Sequence, residues 1–246
     1  MSTNSNRALI IGAGSAIAAA LAEELLADRR FQQVVCVSRS PDPRPVIDGD
    51  ERLLRLQCDY SESSIQRVCS GLQEVSGSFA RVFICNGLLH DDKVKPEKRL
   101  EELDEESLQR VFTANAVVPI LWLKHLRELL KGSNETRIAV FSARVGSIGD
   151  NQLGGWYGYR ASKAALNMLV KTAAIEYRRR APNIRFMVFH PGTTDTPLSK
   201  PFQQNVAPGR LFEPGFVASR LLELMNNPPA SEDPVFLDWS GKPIPW

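Results

Sequence analysis

The sequence predicts an α/β domain, a doubly wound parallel sheet of seven strands with helices on both faces. Three observations predict it. Short apolar runs alternate with longer amphipathic ones from end to end, the pattern of successive βαβ units. A chain of 246 residues, 43% hydrophobic and 24% charged, has the size and core of one large α/β domain and is read as a single domain over 1–246. A glycine turn also stands where the first strand meets the first helix.

The strands are read at 7–11 (RALII), 33–38 (QVVCVS), 52–58 (RLLRLQC), 81–85 (RVFIC), 137–142 (RIAVFS), 184–189 (IRFMVF) and 235–239 (VFLDW). Helices fall between them at 15–29, 62–75, 105–131, 157–180 and 214–226. The Pro-rich stretch 40–50 reads as an irregular connection, because strands of the same sheet continue on both sides of it. A second loop-rich stretch, 191–210, interrupts the alternation after the sixth strand and has the length of a lid or binding loop.

Composition excludes several function classes. The 30 Lys+Arg and 28 Asp+Glu nearly balance at a net charge of +2, and the run EYRRR (176–180) reads as a helix end whose cations complement the dipole. No nucleic-acid surface is expected. The cysteines Cys36, Cys58, Cys69 and Cys85 include no C-x-x-C pair, which points to a reducing, cytoplasmic setting. His90, His125 and His190 lie too far apart for metal-ligand spacing. The uncharged Ala-rich run 8–22 mimics a short secretory segment, but Gly12 and Gly14 interrupt it and helical periodicity continues beyond it. It is also too short to cross a bilayer, so no membrane association is expected.

The turn built on Gly12 and Gly14 suits a phosphate group: glycine permits close backbone approach, and free N–H groups at the helix start face the anion. The second strand ends in VSRS, which puts Arg39 where the adenosine ribose of a dinucleotide would lie. An acidic residue there would bind the 2′-hydroxyl of NAD, whereas an arginine accommodates the 2′-phosphate of NADP. The expectation is NADP(H) in preference to NAD(H), set against an arginine that is merely exposed at a strand end. Two readings of Asp59 stand side by side: an acceptor for the adenine amino group, or a turn residue before the next helix.

Gly154, Gly155 and Gly158 break the chain just before the helix at 157–180. On that helix Tyr159 and Lys163 are at i and i+4 and share a face, whereas Tyr157 lies well round from the lysine. A free phenol titrates near pH 10 and is a poor proton carrier at neutrality; a nearby ammonium stabilises the phenolate. The pair is expected to do general acid–base work.

GAGSAIA (12–18), SR (38–39), CD (58–59), NG (86–87), NAVVP (115–119), SARVGSI (142–148), YRASK (159–163) and HPGTTDT (190–196) together resemble the short-chain dehydrogenase/reductase family, with its Rossmann fold, and within it the C-factor and carbonyl-reductase-like branch. The resemblance extends over essentially the whole chain. It implies hydride transfer between a nicotinamide and a small-molecule carbonyl or alcohol, with Tyr159 as the acid and Lys163 lowering its pKa and binding the nicotinamide ribose. Asn115 would anchor a water of the proton relay. The cofactor would lie along Gly12, Gly14, Ser15, Ile17, Ser38, Arg39, Asp59, Asn86 and Gly87. Pro191, Gly192 and Thr193 would close over the carboxamide, and Thr196 would lie near the phosphates. The family also implies a homodimer or homotetramer built on the helices at 105–131 and 157–180.

Three departures from that pattern stand out. Ile11, Ala16 and Ala18 replace the threonine and last two glycines of the usual glycine motif, adding Cβ atoms and disfavouring positive φ near the cofactor. ICNG (84–87) stands where the family has N-N-A-G. The frame of the carbonyl-orienting serine falls on Ala143, one residue after Ser142, so Ser142, Ser147 or a water is left for that role. These changes raise a second reading, a weakly catalytic dinucleotide sensor on the same fold. Leu88, Leu89, Ile148, Leu153, Trp156 and Phe202 are candidates for an apolar substrate pocket, or else for packing against the core or a partner. The apolar ending at 236–246 is expected to dock on the domain or on a neighbouring subunit.

Overall fold

The structure, a computed structural model, describes residues 6–40, 49–74, 78–228 and 234–246. Its strands are β1 (Asn6–Ile11), β2 (Phe31–Ser38), β3 (Leu53–Gln57), β4 (Ser78–Ile84), β5 (Thr136–Phe141), β6 (Ile184–His190), β7 (Thr193–Thr194), β8 (Leu211–Phe212) and β9 (Val235–Asp238). Seven of them form one sheet in the order β3-β2-β1-β4-β5-β6-β9, and every neighbouring pair is parallel. The short β7 and β8 pair separately. The helices are α1 (Ala16–Ala27), α2 (Glu62–Gln73), α3 (Glu105–Phe112), α4 (Val118–Leu130), α5 (Tyr157–Arg180) and α6 (Pro214–Asn226).

Strand side chains alternate faces, and the core divides accordingly. Leu9 and Ile11 of β1 pack with residues of α2, α4 and α5, while Ala8 and Ile10 pack with α1 and α6. The fold class expected from the sequence is therefore the one observed. Of the Pro-rich connection at 40–50, only Ser40, Gly49 and Asp50 are among the described residues.

One element differs. The helix expected at 105–131 is α3 and α4 joined by a π-helical turn, Thr113–Val117, with Asn115 inside it. The cause is local: Pro119 has no N–H to give the carbonyl four residues earlier, which belongs to Asn115, and the Val118 N–H reaches back to Thr113 O instead. The basic run ends α5 as expected, with Arg178, Arg179 and Arg180 in its last turn. The C-terminal ending docks on its own sheet: Ile244 N–H donates to Phe236 O at 2.8 Å, and the Trp246 ring lies 5.6 Å from that of Phe236. Among the described residues no helix is long and apolar enough to cross a membrane, and no group of His, Cys, Asp and Glu has metal-binding geometry.

Candidate active site

The strand order reverses direction between β1 and β4, and the crevice outside the carboxyl ends of such strands is where open α/β sheets bind ligands. Gly12 sits there at φ +82°, and a Cβ on it would lie 3.0 Å from Asn86 N and from Cys85 C. Gly12 and Ala13 N–H both donate to Val37 O at 3.0 Å, which ties the turn to the end of β2. Ser15 caps α1 by accepting from Ala18 N–H at 3.2 Å. A Cβ on Gly14 would meet nothing within 4 Å, so this part of the turn faces open space.

The structure corrects the expectation for the alanines at 16 and 18. Both lie within helical α1 and neither needs positive φ; Ala18 is fully buried in the core. Their methyl groups impose no backbone strain on the turn.

A cavity of about 610 Å³ opens at the ends of β2, β3 and β4 and along α3. Arg39, Asp59, Asn86 and Gly87 line it, joined by Arg110, which pairs with Asp91 at 2.5 Å. The Ser38 hydroxyl beside it donates to Ser40 O at 2.6 Å. Asp59 serves the turn as well as the cavity: its Oδ1 accepts from Ser61 Oγ at 2.7 Å and Ser61 N–H at 2.8 Å, which holds the carboxyl below its usual range. Asn86 Oδ1 is buried without a hydrogen-bond partner.

A second cavity, about 260 Å³, lies at the ends of β5 and β6 beside the start of α5. Tyr159 lines it, together with Ile17, Ala143, His190, Pro191, Gly192, Thr193 and Thr196. Lys163, one turn along α5, is buried; its Nζ donates to Phe141 O at 3.0 Å and lies 5.9 Å from the centre of the Tyr159 ring. Burial pushes the Tyr159 phenol up to about 12 and the Lys163 ammonium down to about 8. The cause in both groups is desolvation; the Lys163 ammonium, bonded to a strand carbonyl, is not among the causes of the phenol's shift.

Asn115 is fully buried. Its Oδ1 accepts from Leu88 N–H at 2.7 Å, and its Nδ2 donates to Leu88 O at 2.8 Å and Ser162 Oγ at 3.0 Å. Ser162 Oγ in turn donates to Tyr159 O at 2.8 Å, so the π turn is bonded into the first turns of α5.

Ser142 borders the second cavity, but its hydroxyl donates to Asn167 Oδ1 at 2.7 Å. Ala143 keeps extended geometry, φ −145° and ψ 146°, so strand alternation carries through it. Ser147 is buried and accepts from Asp150 N–H at 3.2 Å. Both candidate hydroxyls are engaged by the protein itself.

Of the expected pocket residues, Leu89, Trp156 and Phe202 line the second cavity and Leu88 the first. Ile148 and Leu153, 79% and 92% exposed, line neither. Leu198 belongs to the same wall, its carbonyl 3.1 Å from His90 Nε2. Trp156 packs edge-on to Phe202 at 4.9 Å and to Tyr159 at 6.2 Å between ring centres. Gly192 has φ +74°, and a Cβ there would meet the Phe212 ring at 2.7 Å. Sequence reasoning missed Thr194 and His190 as site residues. Thr194 Oγ1 and His190 Nδ1 are buried without partners, and burial, with Arg144 nearby, pushes the imidazole down to about 4. Both stand inside the HPGTTDT run, which was the available signal.

A dinucleotide fits these residues. Unpartnered polar atoms on Asn86, Thr194 and His190 border the two cavities, and the open face of Gly14 adjoins the start of α1.

A family model for short chain dehydrogenase matches residues 6–207. Among curated proteins, 1-hydroxy-2-glutathionyl-2-methyl-3-butene dehydrogenase of Rhodococcus sp. is 29% identical over 188 residues, 73% of this chain and 76% of that protein. The C-signal of Myxococcus xanthus is 29% identical over 147 residues, 60% of this chain and 83% of that protein. Among solved structures, the carbonyl reductase Sniffer of D. melanogaster superposes with a TM-score of 0.84 at 20% identity, covering 98% of this chain and 100% of that one. An NADPH-bound carbonyl reductase from chicken fatty liver gives 0.79 at 21% identity, covering 98% and 99%. With the glycine turn, the Tyr159/Lys163 pair and the family match over most of its length, this chain belongs to the short-chain dehydrogenase/reductase family.

Proposed function

We propose that the protein is an NADP(H)-dependent oxidoreductase acting on small carbonyl or alcohol compounds. The observation that carries this reading is Tyr159, one helical turn from Lys163, facing a mainly apolar cavity bordered by Pro191, Gly192, Thr193 and Thr196. When bound, the nicotinamide supplies or accepts the hydride. The residues of the chain bind, orient and move the proton. Gly12, Gly14, Ser15 and Ile17 take the phosphates at the start of α1. Arg39, exposed at the end of β2, takes the 2′-phosphate and favours NADP(H) over NAD(H). NADPH is bound in the chicken reductase named above, and NADP in a structural neighbour from Burkholderia multivorans.

Tyr159 gives its proton to the carbonyl oxygen in reduction and regains it through Lys163 and a water on the Asn115 carbonyl, which Pro119 deprives of its ordinary helical donor. Burial holds the phenol up at about 12, so Tyr159 stays protonated at rest, and the Lys163 ammonium one helical turn away favours the phenolate during the reaction. The sensor reading rests on Ala143, yet a sensor has no need of the Tyr159/Lys163 pair.

The free cysteines fit a cytoplasmic setting, and Val117, Met168 and Ile175, exposed on the π turn and α5, fit a homodimer or homotetramer. Neither nucleic acid nor membrane has a place in this reading. Purified protein offered aldehydes, ketones and quinones is expected to oxidise NADPH faster than NADH. Absence of cofactor binding by calorimetry contradicts the enzyme reading.

A further inference from the structure

Trp156, the residue just before α5, has no side chain able to cap a helix, and it sits in the left-handed region at φ 52° and ψ 44°. Gly154 and Gly155 before it are also left-handed, at φ 64° and 65°. Glycine adopts this conformation freely, so the strain falls on Trp156, and the first N–H groups of a helix need acceptors. Tyr159 is only the third residue of this helix, so fraying of the first turn displaces the phenol directly.

The missing acceptors come from outside the helix. Glu97, in the connection after β4, is 6% exposed. Its backbone carbonyl accepts from Trp156 N–H at 2.5 Å, and its carboxylate Oε2 accepts from Gly158 N–H at 3.2 Å. The other carboxylate oxygen fits against Gly158 so closely that a Cβ there would lie 2.9 Å from it and 3.1 Å from Leu108 Cδ2. Among the described residues no cation forms an ion pair with Glu97; its polar partner is the helix start, where a negative charge is favoured. Arg160 closes the same turn from the helix side, donating to Gly155 O at 2.9 Å and Gly154 O at 3.1 Å.

We infer that Glu97 is a positioning residue: by capping α5 from a distant segment it holds Trp156 in its strained conformation and fixes the place of the Tyr159 phenol in the cavity. This inference rests on the reading of Tyr159 as the acid. Glu97 touches neither substrate nor cofactor in this scheme. It acts through two hydrogen bonds: its backbone carbonyl holds Trp156 whatever the side chain, and its carboxylate holds Gly158, so substitution removes the second and loosens the first turn, which carries Tyr159.

The test compares Glu97→Ala, Glu97→Gln and Gly158→Ala in the full chain, with turnover expressed per NADPH-binding site measured on the same sample. Glu97→Ala is expected to lower kcat by about tenfold to hundredfold with NADPH affinity changed less than about threefold, and Glu97→Gln, which keeps an acceptor, to recover most of it. Gly158→Ala leaves Glu97 in place and forces the carboxylate away, and is expected to lower kcat in the same way. Without any substrate, amide hydrogen exchange at 156–160 is expected to rise at least about tenfold in Glu97→Ala while that at 166–177 is unchanged. The inference is overturned if Glu97→Ala turns over within about twofold of the parent, if Glu97→Gln is as impaired as Glu97→Ala, or if exchange at 156–160 does not change. Tyr159→Phe is run alongside. If that variant is inactive and Glu97→Ala is unimpaired, only this inference falls; if Tyr159→Phe keeps its turnover, the functional reading falls with it.

Discussion

The cavity of about 610 Å³ at the ends of β2, β3 and β4 presents Arg39, Asp59, Asn86 and the Arg110–Asp91 pair, whereas the one of about 260 Å³ at the ends of β5 and β6 is walled by Trp156, Phe202, Leu89 and Leu198. The first is charged and wide. The second is apolar, and the titratable groups on it and behind it, Tyr159, Lys163 and His190, are all pushed by burial toward their neutral forms. A binding half tolerates water around its charges, because recognition of a phosphate needs only cations and N–H donors. A reacting half gains by excluding water, since an ammonium then acts on a neighbouring phenol through a lower dielectric. The difference predicts that changes at the charged lining of the first cavity alter cofactor affinity, and changes at Tyr159 and Lys163 alter turnover.

The largest effect that sharpens this division is at Lys163. Lys163→Met is expected to lower kcat by about a thousandfold, because it removes the charge that makes the phenolate accessible. Stopped-flow NADPH oxidation checks it; equal loss of NADPH binding would show that the halves are not separable. Arg39→Asp comes next. It is expected to weaken NADPH binding about tenfold to hundredfold, to leave NADH binding nearly unchanged and to leave kcat at saturation within about threefold, as titration calorimetry and saturation kinetics would show.

The pH dependence is a smaller and graded effect. Lys163 titrates at about 8 and is an ammonium below that value, so its contribution is present on the acid side and lost as pH rises through 8. Tyr159, at about 12, keeps its proton throughout that range and sets no limit there. Reductive kcat is therefore expected to fall about tenfold per unit above pH 8 while NADPH affinity follows a different profile. The smallest effect is at the aromatic wall. Phe202→Ala is expected to raise KM for aromatic carbonyl compounds about threefold to tenfold with kcat little changed, measured as steady-state kinetics on matched aromatic and aliphatic ketones.

The residues proposed to bind the cofactor stood out in the sequence because they come in short runs with a fixed place in a βαβ unit. Gly12, Arg39, Asp59 and Asn86 each follow a strand closely, and strand periodicity located them. The reacting half was legible only at Tyr159 and Lys163, whose spacing is that of one helical turn. Its other parts depend on contacts between distant segments. Glu97 lies 61 positions from Gly158, and no local pattern marks it as a cap. Ser142 follows the same logic: its one-residue offset from the expected frame was visible, but its bond to Asn167, 25 positions away, was not. The burial that raises Tyr159 and lowers Lys163 is likewise a property of packing, which a spacing argument does not report. The π turn at Asn115 had a readable cause in Pro119, which was passed over because the surrounding pattern is helical on both sides.

In the proposed reaction Tyr159 is the proton donor, and its hydroxyl contributes little to holding the cofactor. The most direct measurement is NADPH affinity and single-turnover carbonyl reduction on one sample of Tyr159→Phe. Affinity within about threefold of the parent, with the chemical step slowed by at least about a thousandfold, is the predicted result. A Tyr159→Phe protein that binds NADPH and reduces the carbonyl at the parent rate would contradict it.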